Sequence, residues 1–253
     1  MTVRSVAAVP SAPLLLPEVS PVLPAEIAGG VEALRDAVRS ALGSLGEVDT
    51  VVLVAGGDDA TLPDGGCIDL AGYGHPQVRA DVPVDRELLA AVATRTGTPR
   101  VRADVLTGDL AVLAALVLAV RPDATVLPAT VARAAGGATL GGFAAGVVAA
   151  VDVLGRDVAV VASGDLSSAR DTSSPGYEVD GAVAWDEAVR DALAAGDLEA
   201  LLALGPGEAV RVGARGWAPL VVLSHLARAS GSRLGDPQLS APRGVGQLVA
   251  ASR

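Results

Sequence analysis

Few residues in this chain can do chemistry, and their types narrow what that chemistry is. The histidines are His75 and His225, the cysteine is Cys67, and every one of the 19 basic residues is arginine. Hydroxyls and carboxylates gather instead where apolar runs stop. Ser11 follows the run at 3–9, Asp58 and Asp59 follow the run at 50–55, and Asp165, Ser167 and Ser168 follow the run at 157–162. Ser167 or Ser168 could act as a nucleophile with His75 as base and Asp58, Asp59 or Asp165 as its orienter. No G-x-S-x-G elbow frames either serine. The same carboxylates with His75 could instead hold Mn or Mg, which favour hard oxygen ligands.

Each of these groups also has a structural reading. Asp58 and Asp59 suit the cap of a following turn. Asp165 can accept backbone N–H groups just past its strand, and Ser167 and Ser168 can start a turn. Arg170 and Asp171 read as a solvated pair. His225 lies in the apolar helix "PLVVLSHLARA" and reads as structural. Tyr177 and Trp185 are scarce aromatics whose common use is as buried anchors.

Other chemistries are excluded. Without lysine there is neither a Walker-type G-K-[ST] loop nor a Schiff base. Gly136-Gly137 and Gly141-Gly142 do not complete a dinucleotide fingerprint after a strand. One cysteine excludes an internal disulfide and a thiolate cluster. A net charge of −10 and a pI near 4.6 argue against a nucleic-acid partner, which needs a basic face. The apolar run Leu110–Val120 is shorter than the roughly 18 residues that a span requires, so no membrane is expected. Prolines 10, 13 and 17 break the first apolar stretch, so no secretory signal is expected and the cytoplasm is the default compartment.

The elements that must position these residues alternate. Strands are predicted at 3–9, 50–55, 124–130 and 157–162, with a closing strand in "GVGQLVAAS". Helices are predicted near 25–43, 84–96, 108–120, 138–153, 181–195, 197–204 and 216–229, and 56–66 reads as loop. Continuous apolar runs such as "VAVVA" fit parallel strands covered on both faces. The pattern predicts one α/β domain, 1–253, with a mostly parallel central sheet and helices on both faces. Ligands of such sheets sit at the carboxyl ends of the strands. Ser11, Asp58, Asp59, His75, Asp165, Ser167 and Ser168 are therefore expected to converge there, His75 by way of its glycine-flanked loop.

One resemblance runs along most of the chain. "DVAVVASGDLSS" resembles the segment ending in Gly-Asp-Leu-Ser-His or Gly-Gly-Leu-Ser-His in the LigB-like class III extradiol ring-cleavage dioxygenases and their MEMO-like relatives. "VAAVPSAPLLLPEV" is similar to that family's opening strand and Pro-His-Pro-Pro-Leu-Leu turn, and "PDATVLPATV" to its middle strand. "PGYEVDGAVAWDEAVRDALAAGDLEALLAL" is similar to the helices after its site, and "SAPRGVGQLVA" to its end.

The resemblance implies an α/β fold and a non-haem Fe(II) held by two histidines and a carboxylate, with a further histidine moving protons. It also implies that this machinery is replaced. The first ligand histidine falls at Ser11 and the acid/base histidine at Ser168. The second ligand's loop offers Gly57, Asp58 and Asp59. The carboxylate (or cysteine, in the MEMO-like branch) expected before the last long helix has Glu208 as its nearest match in "GEAVRVGARGWAP". A neutral serine hydroxyl is a poor iron ligand, so the expected protein carries no Fe(II) and binds a small molecule or a protein partner without catalysis. The alternatives are a repurposed Ser/His/Asp or carboxylate-metal enzyme in the same pocket, and an active dioxygenase with non-standard ligands. Association into a homo-oligomer stays open.

Overall fold

The computed structural model describes residues 2–252. Four parallel strands form the centre: β1 (Val3–Val9), β2 (Thr50–Gly57), β7 (Thr125–Ala132) and β8 (Val158–Ser163). The sheet is completed by β9 (Gln238–Ser240) and β10 (Gln247–Ala251), in the order β7-β2-β8-β1-β10-β9. Both of these last strands pair antiparallel. Every residue of β8 is buried, which is why it reads as an unbroken apolar run.

Two layers cover the sheet. On one face lie α1 (Ala25–Gly43) and α3 (Gly108–Val120), whose Leu34, Leu42, Leu113 and Val117 pack on Leu53, Val126 and Val161. On the other lie α2 (Arg86–Thr96), α4 (Gly137–Leu154), α5 (Ala182–Ala195), α6 (Leu198–Arg211) and α7 (Trp217–Ser230). Their Leu89, Phe143, Val189, Trp217 and Leu223 pack on Val52, Leu127 and Val160. A fully buried leucine contributes roughly 1.5–3 kcal/mol, so the two layers hold the sheet from both sides. By length and composition α4 could cross a membrane. Here it packs against α2 and α7, with Leu140, Val147 and Val151 buried.

Local chemistry explains the differences from expectation. The start of α2 is Arg86, because Val84 bridges Val126 and the Asp85 side chain caps the helix by accepting from the Leu88 N–H at 2.9 Å. Helix α6 runs past the expected stop at 204: Gly205 adopts φ 67°, ψ 158°, and Pro206 then starts a second helical segment, where its missing N–H costs nothing. The stretch 56–66 is not all loop. Strand β2 extends to Gly57, and Leu62–Pro63 forms β3. Three more short strands, β4 (Cys67–Ile68), β5 (Arg100–Val101) and β6 (Val105–Leu106), build two small parallel pairs, β3 with β5 and β4 with β6.

Candidate functional site

Parallel strands end at a common edge, and here the registers align the residues beyond them. Val9 pairs with Ser163, and two steps on Ser11 lies beside Asp165. Gly57 pairs with Ala132, so Asp58 and Arg133 leave the sheet together. From the antiparallel side, Gln247 bridges Asp165. Glycines allow these backbones to close up. A Cβ on Gly164 would run into the Leu248 carbonyl, and one on Gly216 would come within 2.6 Å of the Asp165 carbonyl and 2.7 Å of that of Ser163. Gly216 caps α7, and its N–H donates to the Asp165 carbonyl at 2.6 Å.

Asp165 is the centre of this edge. Its Oδ2 accepts from the Ser11 N–H at 3.0 Å, from the Ser163 hydroxyl at 2.9 Å and from the Ser11 hydroxyl. Burial raises its pKa, while the bonds from Ser11 and Ser163 and the charge of Arg215 oppose that rise. Ser11 is buried and fully engaged by Asp165 and Ser163.

A second carboxyl lies close by. Asp109, in the first turn of α3, is 9% exposed and accepts from Nε of Arg215 at 3.0 Å. Its pKa is pushed up to about 6, first by burial and then by the charge of Asp165, against the pull of Arg215 and Arg133. Tyr73 belongs to the same group, since burial raises its pKa first and Asp109 and Asp165 add to the rise. Arg133 pairs with Asp58, whose side chain is exposed. A cleft of 490 Å³ opens here, lined among others by Gly57, Asp58, Arg133, Ser168, Gly213 and Arg215.

The expected site residues separate accordingly. Ser11 and Asp165 touch, and Asp58 and Ser168 line the cleft beside them. Asp59 turns an exposed side chain outward, while its carbonyl accepts from the Thr130 hydroxyl at 2.8 Å. Ser167 does not face the cleft. It is 0% exposed, and its N–H and hydroxyl both donate to Asp186, at 2.9 and 2.8 Å. Asp186 is also buried and accepts from Arg170 at 2.5 Å, so Arg170 is paired inward with Asp186 rather than with Asp171.

His75 shares a 3.3 Å contact with Gln77 in its own loop, and Tyr73 is the residue of that loop coupled to the carboxyls. Glu208 pairs with Arg211 on the surface, and the segment before α7 contributes Arg215 to the cleft instead. Trp185 is buried as expected, but Tyr177 is 74% exposed. Sequence reasoning missed Asp109, Arg215, Arg133, Tyr73 and Gln247. The one signal available was that Arg133 follows a predicted parallel strand.

No protein-family model and no curated protein matches the sequence. Among solved structures, the crystal structure of the uncharacterized protein JW3007 from Escherichia coli K12 is similar in fold. Its TM-score is 0.53 at 12% sequence identity, over 85% of this chain and 90% of that one. At that identity the likeness concerns the fold alone, whatever that protein's site contains.

Proposed function

We propose that this chain is an extradiol-dioxygenase-like protein that carries no iron and uses the cleft at the carboxyl edge of its sheet to bind a small polar molecule without turning it over. The observation that supports this most is what occupies the edge. Where a facial triad requires two imidazoles and a carboxylate with open positions, the chain places Ser11 bonded to Asp165, and Arg215 bonded to Asp109. These residues do not fit Fe(II). Hydroxyls are weak donors to it, Oδ2 of Asp165 already accepts three hydrogen bonds, and two guanidiniums nearby repel a divalent cation. Among the described residues no three His, Cys, Asp or Glu side chains come together as a metal group. A Ser/His/Asp site gains no support, since Ser167 is enclosed against Asp186 and His75 contacts Gln77.

The test is anaerobic loading with Fe(II), removal of loose metal, and addition of protocatechuate or simple catechols in air. The expected outcome is no retained stoichiometric iron and no ring-fission product. Saturable formation of that product would overturn the reading.

A further inference from the structure

The cleft has a chemistry of its own. Its walls carry two guanidiniums, Arg133 with a side chain 35% exposed and Arg215 with one 50% exposed, together with Ser168. A guanidinium has five N–H donors in a planar fork that matches a carboxylate or a phosphate. Arg215 commits Nε to Asp109, and Arg133 commits one terminal nitrogen to Asp58. Both arginines keep donors beyond these bonds.

Their two carboxylate partners differ in what release would mean. Asp58 is 88% exposed and water replaces a lost partner there. Asp109 is 9% exposed, and a buried carboxylate stripped of its counter-ion cannot stay ionised. The charged and titratable groups around Asp109 come from four segments: Asp165 after β8, Arg133 after β7, Arg215 before α7, and the neutral phenol of Tyr73 from its loop. Of these, the two arginines favour its ionised form, and both line the cleft. An anion that engages them withdraws the support of that form and leaves protonation as the way to relieve the buried charge.

We propose that this cleft binds a small oxyanion, a carboxylate or a phosphate-like group, on Arg133 and Arg215, and that Asp109 takes up a proton as it yields Arg215 to the anion. The proposal rests on the reading of the chain as a binding protein and adds the ligand class and its regulation. The proton comes from solvent and ends on the Asp109 carboxyl, the Arg215–Asp109 ion pair is replaced by an Arg215–anion pair, and no covalent bond changes.

The experiment is calorimetric titration of the full chain with sodium sulfate and, separately, sodium oxalate, at constant ionic strength. It is run in pairs of buffers with different ionisation enthalpies, which counts protons taken up. With the Asp109 pKa at about 6, binding is expected to weaken roughly 20-fold between about pH 5.5 and about pH 7.5, with close to one proton taken up per anion at the higher pH. Sulfate binding alone points to a phosphate-like ligand, and oxalate binding alone to a carboxylate; either supports the proposal.

Asp109→Asn is expected to bind about equally at both pH values, and Arg215→Gln at neither, with its circular dichroism unchanged. If Asp109→Asn does not fold, the proton count on the unaltered chain decides. No saturable binding at either pH overturns the proposal. Binding without proton uptake overturns the coupling and leaves the binding-protein reading in place, whereas ring fission after iron loading removes that reading whatever the anions do.

Discussion

Gln247 stands directly opposite Asp165 in a narrow antiparallel pair. The Leu166 N–H donates to the Gly246 carbonyl at 2.8 Å and the Leu248 N–H to that of Gly164 at 3.0 Å. In such a non-hydrogen-bonded pair the two side chains share a face at their closest approach. Gln247 is 1% exposed, and its Oε1 has no hydrogen-bond partner among the described residues. Burial favours the protonated form of Asp165, and a proton there is expected to serve as the donor for that carbonyl.

Asp165→Asn is therefore expected to stay within about 1 kcal/mol of the unaltered protein at neutral pH, because an amide offers both the acceptor for Ser11 and Ser163 and a donor for Gln247. Asp165→Ala removes both and is expected to cost about 2–3 kcal/mol, counting the groups it leaves unsatisfied. Urea unfolding of the two variants checks this; equal losses would sink the idea of a protonated carboxyl.

Asp109 predicts a pH dependence of stability. Its native pKa of about 6 lies above the ordinary value of 3.8, so the folded chain holds the proton more tightly than the unfolded one. The stability it contributes is complete below the ordinary carboxyl range and is lost as pH rises from about 4 to about 6, on the order of 2–3 kcal/mol. Unfolding midpoints measured across that window are expected to fall more steeply for the unaltered chain than for Asp109→Asn. Parallel curves would show that Asp109 is ionised normally.

Ser167 and Ser168 are adjacent and are expected to behave differently. Ser167→Ala leaves the buried Asp186 short of a donor and is expected to cost about 1–3 kcal/mol, and Asp186→Ala, which strands Arg170, about 3–5 kcal/mol. Ser168→Ala, at the cleft wall, is expected to change stability by about 0.5 kcal/mol or less. Denaturant midpoints for the three variants order the two hydroxyls; a Ser168 effect as large as that of Ser167 would contradict their placement.

Much of the frame is legible in the amino-acid order. A period of 3.6 marks α1, the expected bounds of α1, α3 and α7 lie within a residue or so of those observed, and the unbroken apolar runs of β2 and β8 mark the buried centre of the sheet, because burial on both faces leaves no polar alternation. Parallel strands share a carboxyl edge, so Ser11 and Asp165 are legible as residues of one edge, and the pairing of β1 with β8 then makes them neighbours. Breaks are legible too, but not their consequences: Gly205-Pro206 reads as an end, yet a proline can open the next helical segment.

Which groups complete the site was decided by the tertiary structure. Asp109 lies in the first turn of one helix, Arg215 precedes another, Tyr73 lies in a loop and Gln247 on an antiparallel strand, and no spacing in the chain connects them. They meet because the strands and helices cross over the same edge, where burial lifts the carboxyl pKa values that local sequence leaves ordinary. Likewise, residues one apart project to different surroundings. The sequence offers Ser167 and Ser168 as equals, and only the packing of α5, with Asp186 enclosed beneath the turn, makes the first structural and leaves the second at the cleft.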